Sequence, residues 1–390
     1  MSNTDKNIVN VDELIAEAVK ISALNDFGPF DIKGTLTMFV SHVVGCRVYT
    51  EEQFASVKQD IVRCLINRLR FQEDLKQHPE ILDEDVSDPI IILGLGRSGT
   101  TKMHKMLSSP DSVQKTSFWR LWNPARFPNA EQHSSDPRIA AAGTSVLVTT
   151  ESETIKAAHP MHAMEVEEEW LLYTLTFDDW IWCALLYVPS LFDWSMGRDR
   201  QAVYDYAKSL LQYLQWQDGG RKGRRWVLKS VGYIADLDAV NNCYPNATYL
   251  HTHRDPKSTI PSWTKFVSAI WNERATPVDP KEAGRHMLYQ WSSAVERYLD
   301  SRQRLNLEDR ILDVPYERVR EDPMSIISEL YQLAGMEMSG EAEAKMLGWH
   351  NSNEQYKNGR HSVIPPFLIA VKSRGLSHFQ FLSRRYASNR

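Results

Sequence analysis

The segment IIILGLGRSGTTKMHKML, residues 90–107, constrains this chain more than any other. Ile90 to Leu95 is a continuous apolar run, the pattern of a parallel strand buried on both faces. Glycines at 94, 96 and 99 break it, and a helix is expected from about Thr100 to Leu107, stopped by SSPD. Parallel strands need a crossover, usually a helix, before the next strand can pair. The same order recurs three times. RWVLKS (225–230) leads into a helix that ends at Tyr244, and ATYLHTH (247–253) leads into another. RILDVPY (310–316) leads into DPMSIISELYQLAG, with Gly335 as its end cap. Four alternations predict an α/β fold, a mostly parallel central sheet flanked by helices.

The flanking regions read differently. Leu14, Ile15, Ala18 and Ile21 have helical spacing. Thr50 and Gln53 fit a capping box, and Phe54, Val57, Ile61, Leu65 and Leu69 continue one stripe. Residues 1–85 are therefore expected to form a helical N-terminal extension, with the α/β unit over 86–390. Residues 120–220 or so read as a helical, aromatic-rich insertion after the first strand–helix unit. Net charge is −5, from 45 basic and 50 acidic residues, which gives no global signal for nucleic acid or anionic membrane. Cys46, Cys64, Cys183 and Cys243 form no CxxC pair, so reduced thiols in a cytoplasmic protein are expected, without a zinc or redox motif. The start, MSNTDKNIVNVDE, does not resemble a signal peptide, and no apolar run approaches a membrane span.

Open α/β sheets bind ligands at the carboxyl ends of their strands. The loop after the first strand brings a helix N-terminus there, with free N–H groups and a dipole that favours anions. Ser98, Thr100 and Thr101 add hydroxyl donors, and Arg97 adds a forked cation. A Walker loop would place Lys and then Ser or Thr after the last glycine, but Thr100 and Thr101 follow Gly99 here. A γ-phosphate carries nearly two charges and calls for Mg²⁺ and a lysine. A sulfuryl group carries one, so a sulfuryl donor can dispense with both, and no metal is required.

These residues resemble the PAPS-dependent sulfotransferases, in the broad, largely bacterial branch. GRSGTT is similar to the family's 5′-phosphosulfate loop, which implies donor binding by Arg97, Ser98, Gly99, Thr100 and Thr101. HTHRDPKSTIPSW (251–263) resembles the 3′-phosphate element, which places Arg254 and Ser262 on that phosphate. RWVLKS resembles the strand that carries the family's active-site lysine, here Lys229. DVPYERVREDP (313–323) and the ending HFQFLSRRYA also fit. In KNGRHS (357–362), Gly359, Arg360 and His361 would close over the nucleotide, whereas RKG (221–223) reads as a surface turn. The resemblance implies PAPS (3′-phosphoadenosine 5′-phosphosulfate) as donor, PAP as product and a small-molecule hydroxyl as acceptor. The residues themselves agree. Arg254 and Ser262 bracket the start of a helix, a second anion site for a doubly phosphorylated nucleotide. The plainer alternative is that Arg254 caps its own helix or pairs with Asp255.

The chain departs from the resemblance after Lys229. Relatives read Lys-Ser-Pro-x-His-Leu, but KSVGYI puts Val231 at the proline and Tyr233 at the histidine, a candidate general base. Tyrosine, with a reference pKa of about 10, is a poor base at neutral pH unless Lys229 lowers it. AAHPMHAMEVEEEWLL (157–172) offers substitutes in His159, His162, Glu167 and Glu168. Glu165 and Glu169 are read as the solvated first turn of a helix ending near Leu175, and His104 as structural. Trp170, Tyr173, Phe177, Trp180, Trp182, Tyr187, Phe192 and Trp194 are expected to be mostly core, a few of them lining a pocket for a lipophilic alcohol or phenol. Two other functions stay open. A P-loop kinase or nucleotide hydrolase would recruit Lys102 and Mg²⁺. A non-catalytic homologue would bind PAP or PAPS without turnover.

Overall fold

The computed structural model describes residues 9–47 and 49–353. The apolar run forms strand β1 (Ile90–Gly94), which takes the centre of a five-stranded sheet. Its companions are β2 (Gln114–Lys115), β3 (Trp226–Lys229), β4 (Thr248–His253) and β5 (Ile311–Pro315). The order is β2-β3-β1-β4-β5, and every neighbouring pair is parallel. Alternate β1 side chains serve opposite faces. Ile91 and Leu93 enter the larger core with Leu228 and Tyr249. Ile90 and Ile92 enter the smaller core with Val227, Leu250 and the methionines Met103 and Met106 of the following helix. All four are fully buried, which stabilises the sheet by ~1.5–3 kcal/mol per side chain.

The N-terminal extension is helical and packs on the larger core. Its helices are Val11–Ser22, Ile32–Cys46 and Glu51–Gln77. Thr50 and Gln53 form the expected capping box, at 3.0 and 3.2 Å. Phe39, Ile61 and Leu65 reach the same core as the sheet. The aromatic-rich middle is a chain of short pieces rather than long helices. Pro137–Gly143, Glu153–Ala158, the 3₁₀ helix Glu169–Thr176, Ile181–Leu185 and Pro189–Met196 precede one long helix, Gln201–Gln217. Side-chain caps from Asp136 and Ser152 and a proline at position 189 punctuate these pieces.

Parallel pairing has one consequence for function: all the strands end at the same edge. Ile92 pairs with Lys229, and Gly94 with Thr252, so β3, β1 and β4 deliver Lys229, the glycine loop and Arg254 to one place.

Candidate active site

The loop between β1 and the helix Thr100–Leu107 is tightly constrained. Gly99 has φ +95°, the left-handed region that glycine adopts without strain. A Cβ on Gly96 would lie 2.3 Å from the Trp263 ring, so this backbone can lie against the indole only as glycine. Arg97 has φ +73°, a costly conformation for a residue with a side chain. The first amides of the helix have no intrahelical partner and face the same end.

Two guanidinium groups converge on this loop. Arg97 donates through Nε to Ser262 Oγ at 3.3 Å and through Nη1 to the Ala158 carbonyl at 2.8 Å. Arg254 donates to the Arg97 carbonyl at 2.9 Å and stacks 4.1 Å from the Tyr316 ring centre. Asp255 caps its own helix through the Lys257 amide and does not hold Arg254. Among the described residues, no carboxylate pairs with Arg97 or Arg254. Burial and the neighbouring Arg254 both disfavour the charge on Arg97. Two adjacent cations with no counter-ion among those residues form a site for an anion.

Lys229 lines the same cleft as Arg97, from the end of β3. It is 2% exposed, forms an ion pair with Glu168 and approaches Thr101 Oγ1 at 3.4 Å. The acidic run is held by the backbone. The Phe118 and Trp119 amides donate to the Glu165 and Ala163 carbonyls at 2.8 and 2.9 Å, and the Glu167 amide donates to Thr116 at 2.9 Å. Glu168 Oε2 accepts the Val231 amide at 3.3 Å, and Glu169 Oε2 accepts the Lys229 amide at 2.8 Å. Glu167 lies 2.7 Å from His159 Nε2. Burial alone would raise the pKa of Glu167, but His159 and Lys229 outweigh it and hold the carboxyl well below the usual range.

These groups line one end of a cleft of about 730 Å³, counting its open mouth. Arg97, Thr100, Thr101, Lys229, His159, Glu167 and Glu168 form its polar part. The rest of its lining side chains are apolar. Trp170 is fixed there, donating from Nε1 to Asp179 at 2.7 Å, while Asp179 is gripped by the buried Arg200. A family model for the sulfotransferase family matches residues 89–340, most of the chain.

The chain belongs to the sulfotransferase family.

Among solved structures, the sulfotransferase STF1 from Mycobacterium tuberculosis H37Rv is 27% identical. It aligns over 88% of this chain and 93% of its own, with a TM-score of 0.77. STF9 from Mycobacterium avium is 23% identical over 99% of this chain and 97% of its own, with a TM-score of 0.83, a likeness of fold. No match is found among curated proteins.

Several expected site residues of this sulfotransferase stand elsewhere. His162 is exposed and outside the cleft lining, because the backbone pairing of 163–167 with 116–119 turns it outward. Tyr233 is 1% exposed, packed against Tyr173 and Tyr204, and does not line the cleft. Burial and nearby Glu169 push its pKa well above the usual value, so it is not a base near neutrality. The Ser98 hydroxyl is buried and committed to the Leu95 carbonyl at 2.6 Å and Thr252 Oγ1 at 2.8 Å, leaving only its backbone for a ligand. Glu169, read as solvated, is 2% exposed, and burial pushes its pKa up to about 7. Glu165 is exposed, as expected, and pairs with Lys105. Burial pushes His104 down to about 3, as befits a neutral structural residue. Gly359 and Arg360 lie outside the described residues.

Of the insertion's aromatics, Trp170 lines the cleft, and the others are core or lie at its edge. The wall missed from the sequence is the helix Pro256–Arg274, which contributes Trp263, Phe266, Val267 and Ile270. Their i, i+3, i+4, i+7 spacing was the available signal. Lys102, the lysine a kinase would need, donates to the Val319 and Arg320 carbonyls, away from the cleft. Behind Arg254, His251, His253 and Asp313 are spaced as metal ligands could be. Arg302 already takes both oxygens of Asp313, at 3.0 and 2.7 Å, so a cation there would have to displace a guanidinium.

Proposed function

We propose that this protein transfers the sulfuryl group of PAPS to the hydroxyl of a small lipophilic alcohol or phenol, releasing PAP. The carrying observation is the pair Arg97 and Arg254, two adjacent guanidiniums with no carboxylate partner among the described residues, set at a helix N-terminus whose Thr101 lies 3.4 Å from Lys229. Arg254 and Ser262 bind the 3′-phosphate. The amides of residues 97–101 and the hydroxyls of Thr100 and Thr101 bind the 5′-phosphosulfate. No lysine follows Gly99 directly, and Lys102 donates to the Val319 carbonyl away from the cleft, so the loop carries no Walker lysine for a γ-phosphate.

In the reaction the acceptor oxygen attacks sulfur, and the bond from sulfur to the 5′-phosphate oxygen breaks. Arg97 and Lys229 stabilise the charge that develops on that oxygen. His159 takes the acceptor proton, and Glu167, fixed 2.7 Å from Nε2, orients the ring and stabilises its protonated form. Glu168 positions Lys229. Transfer in line between two fixed ends draws much of its rate from orientation.

Thermal unfolding tests this reading. PAP at about 100 times its dissociation constant should add roughly 2.7 kcal/mol, or about 3 °C for a chain this long, and Arg254→Ala should abolish the shift. A shift with ATP and Mg²⁺ but none with PAP would move the protein to the kinase class.

A further inference from the structure

The cleft is sharply divided. Its charged and hydroxylated side chains cluster where the donor and the reacting oxygen belong. Beyond them, Leu171, Ile181 and Leu185 from the insertion face Val231 from the end of β3 and Val267 and Ile270 from the helix after β4. No lining side chain of that part carries a hydroxyl, a carboxamide or a charge among the described residues. The indole N–H of Trp170, which could have served an acceptor, is spent on Asp179. The charges that remain once Arg97 and Lys229 serve the donor are the carboxylates Glu167 and Glu168. Each is already held, Glu167 by His159 and Glu168 by Lys229, which leaves no free carboxylate to recruit an ammonium group.

We infer that the acceptor is a neutral, monohydroxylated hydrocarbon: one hydroxyl to react, and a body with no second hydrogen-bonding group. This rests on the sulfotransferase reading and narrows it. The physical ground is the cost of burying an unpaired polar group. A second hydroxyl on the acceptor would lose its water and find no hydroxyl, carboxamide or charged side chain in this wall. Sugars, polyols, hydroxy acids and amino alcohols are thereby disfavoured, whatever their size.

The test uses the full-length protein with PAPS and matched pairs, 1-octanol against 1,8-octanediol and cyclohexanol against trans-1,4-cyclohexanediol. PAP release is followed, and PAP binding is checked separately by thermal shift. An apolar pocket rejects an added hydroxyl by up to about 100-fold, so kcat/KM should favour each mono-alcohol by roughly 10- to 100-fold. Val267→Thr supplies one hydroxyl in the wall and should narrow that ratio several-fold, with the PAP shift confirming that the variant folds. Equal or better turnover of the diols overturns the inference, as does PAP binding with no mono-alcohol turned over. In both cases the donor reading survives. If PAP does not bind at all, that reading fails, and the acceptor inference fails with it.

Discussion

Replacing Glu169 with Gln should make this protein more stable in alkaline solution and leave it nearly unchanged in acid. Glu169 is buried at 2% exposure, beside Glu168, with Oε2 on the Lys229 amide and the Tyr233 hydroxyl close by. Burial, with a smaller push from Glu168, raises its pKa to about 7, against about 4.3 for an unfolded glutamate. Below about pH 4 both states hold the proton, and the native state keeps its full advantage. Between about pH 4 and 7 the unfolded chain ionises first, so stability falls as pH rises. Above about pH 7 the native carboxyl ionises too, and the loss levels off. That difference, about 2.7 pH units, corresponds to roughly 3.5 kcal/mol. Glutamine cannot ionise, yet its oxygen still accepts the Lys229 amide. The melting temperatures of wild type and Glu169→Gln should therefore agree near pH 4.5 and separate by about 4 °C at pH 8.5, the variant being higher. Asp178, pushed by burial up to about 6, titrates in the same window but in both proteins, so the difference curve removes it. An offset that is constant from pH 4.5 to 8.5 would report only the cost of fitting the amide. It would show that Glu169 is not held protonated by its surroundings.

His159→Gln should lower kcat by about 10²–10⁴-fold while the PAP thermal shift stays intact; weakened PAP binding instead would make His159 part of the donor site. Lys229→Met should reduce kcat by about 10²–10³-fold, a loss of leaving-oxygen stabilisation visible in single-turnover measurements. A variant that kept wild-type turnover would remove Lys229 from the mechanism. Gly96→Ala places a methyl 2.3 Å from the Trp263 ring and should cost about 1–3 kcal/mol as the indole is displaced, which tryptophan fluorescence would register. An unchanged melting temperature would show that the loop yields freely.

β1, β3 and β4 were legible because a strand buried on both faces reads as a nearly unbroken run, as in Ile90–Leu93, while the half-buried β5 was legible from the helix that follows it. β2 was not, since Gln114 and Lys115 carry no apolar signal and pair with β3 only through its first residues. The helix Ile32–Cys46 escaped notice because its glycines and β-branched residues dilute helical propensity, while its burial comes from tertiary contacts. The glycine loop between β1 and its helix was legible directly, since a strand, a glycine turn and a helix start occupy adjacent residues. The candidate base was harder to place. Glu165, Glu167, Glu168 and Glu169 look alike in sequence, yet they meet Lys105, His159, Lys229 and the Lys229 amide respectively. Only the pairing of their backbone with residues 116–119 decides which carboxylate faces inward.

The positive φ of Arg97 sets the aims of an engineer and of selection against each other. At φ +73° a glycine would relax the backbone, a change worth on the order of 1 kcal/mol, so a screen for thermal tolerance alone would favour it. The same exchange would delete a cation that lines the cleft with Lys229. Position 97 is therefore where heat resistance and turnover should separate most cleanly, and a library scored on both would probe the proposed donor site with no nucleotide bound.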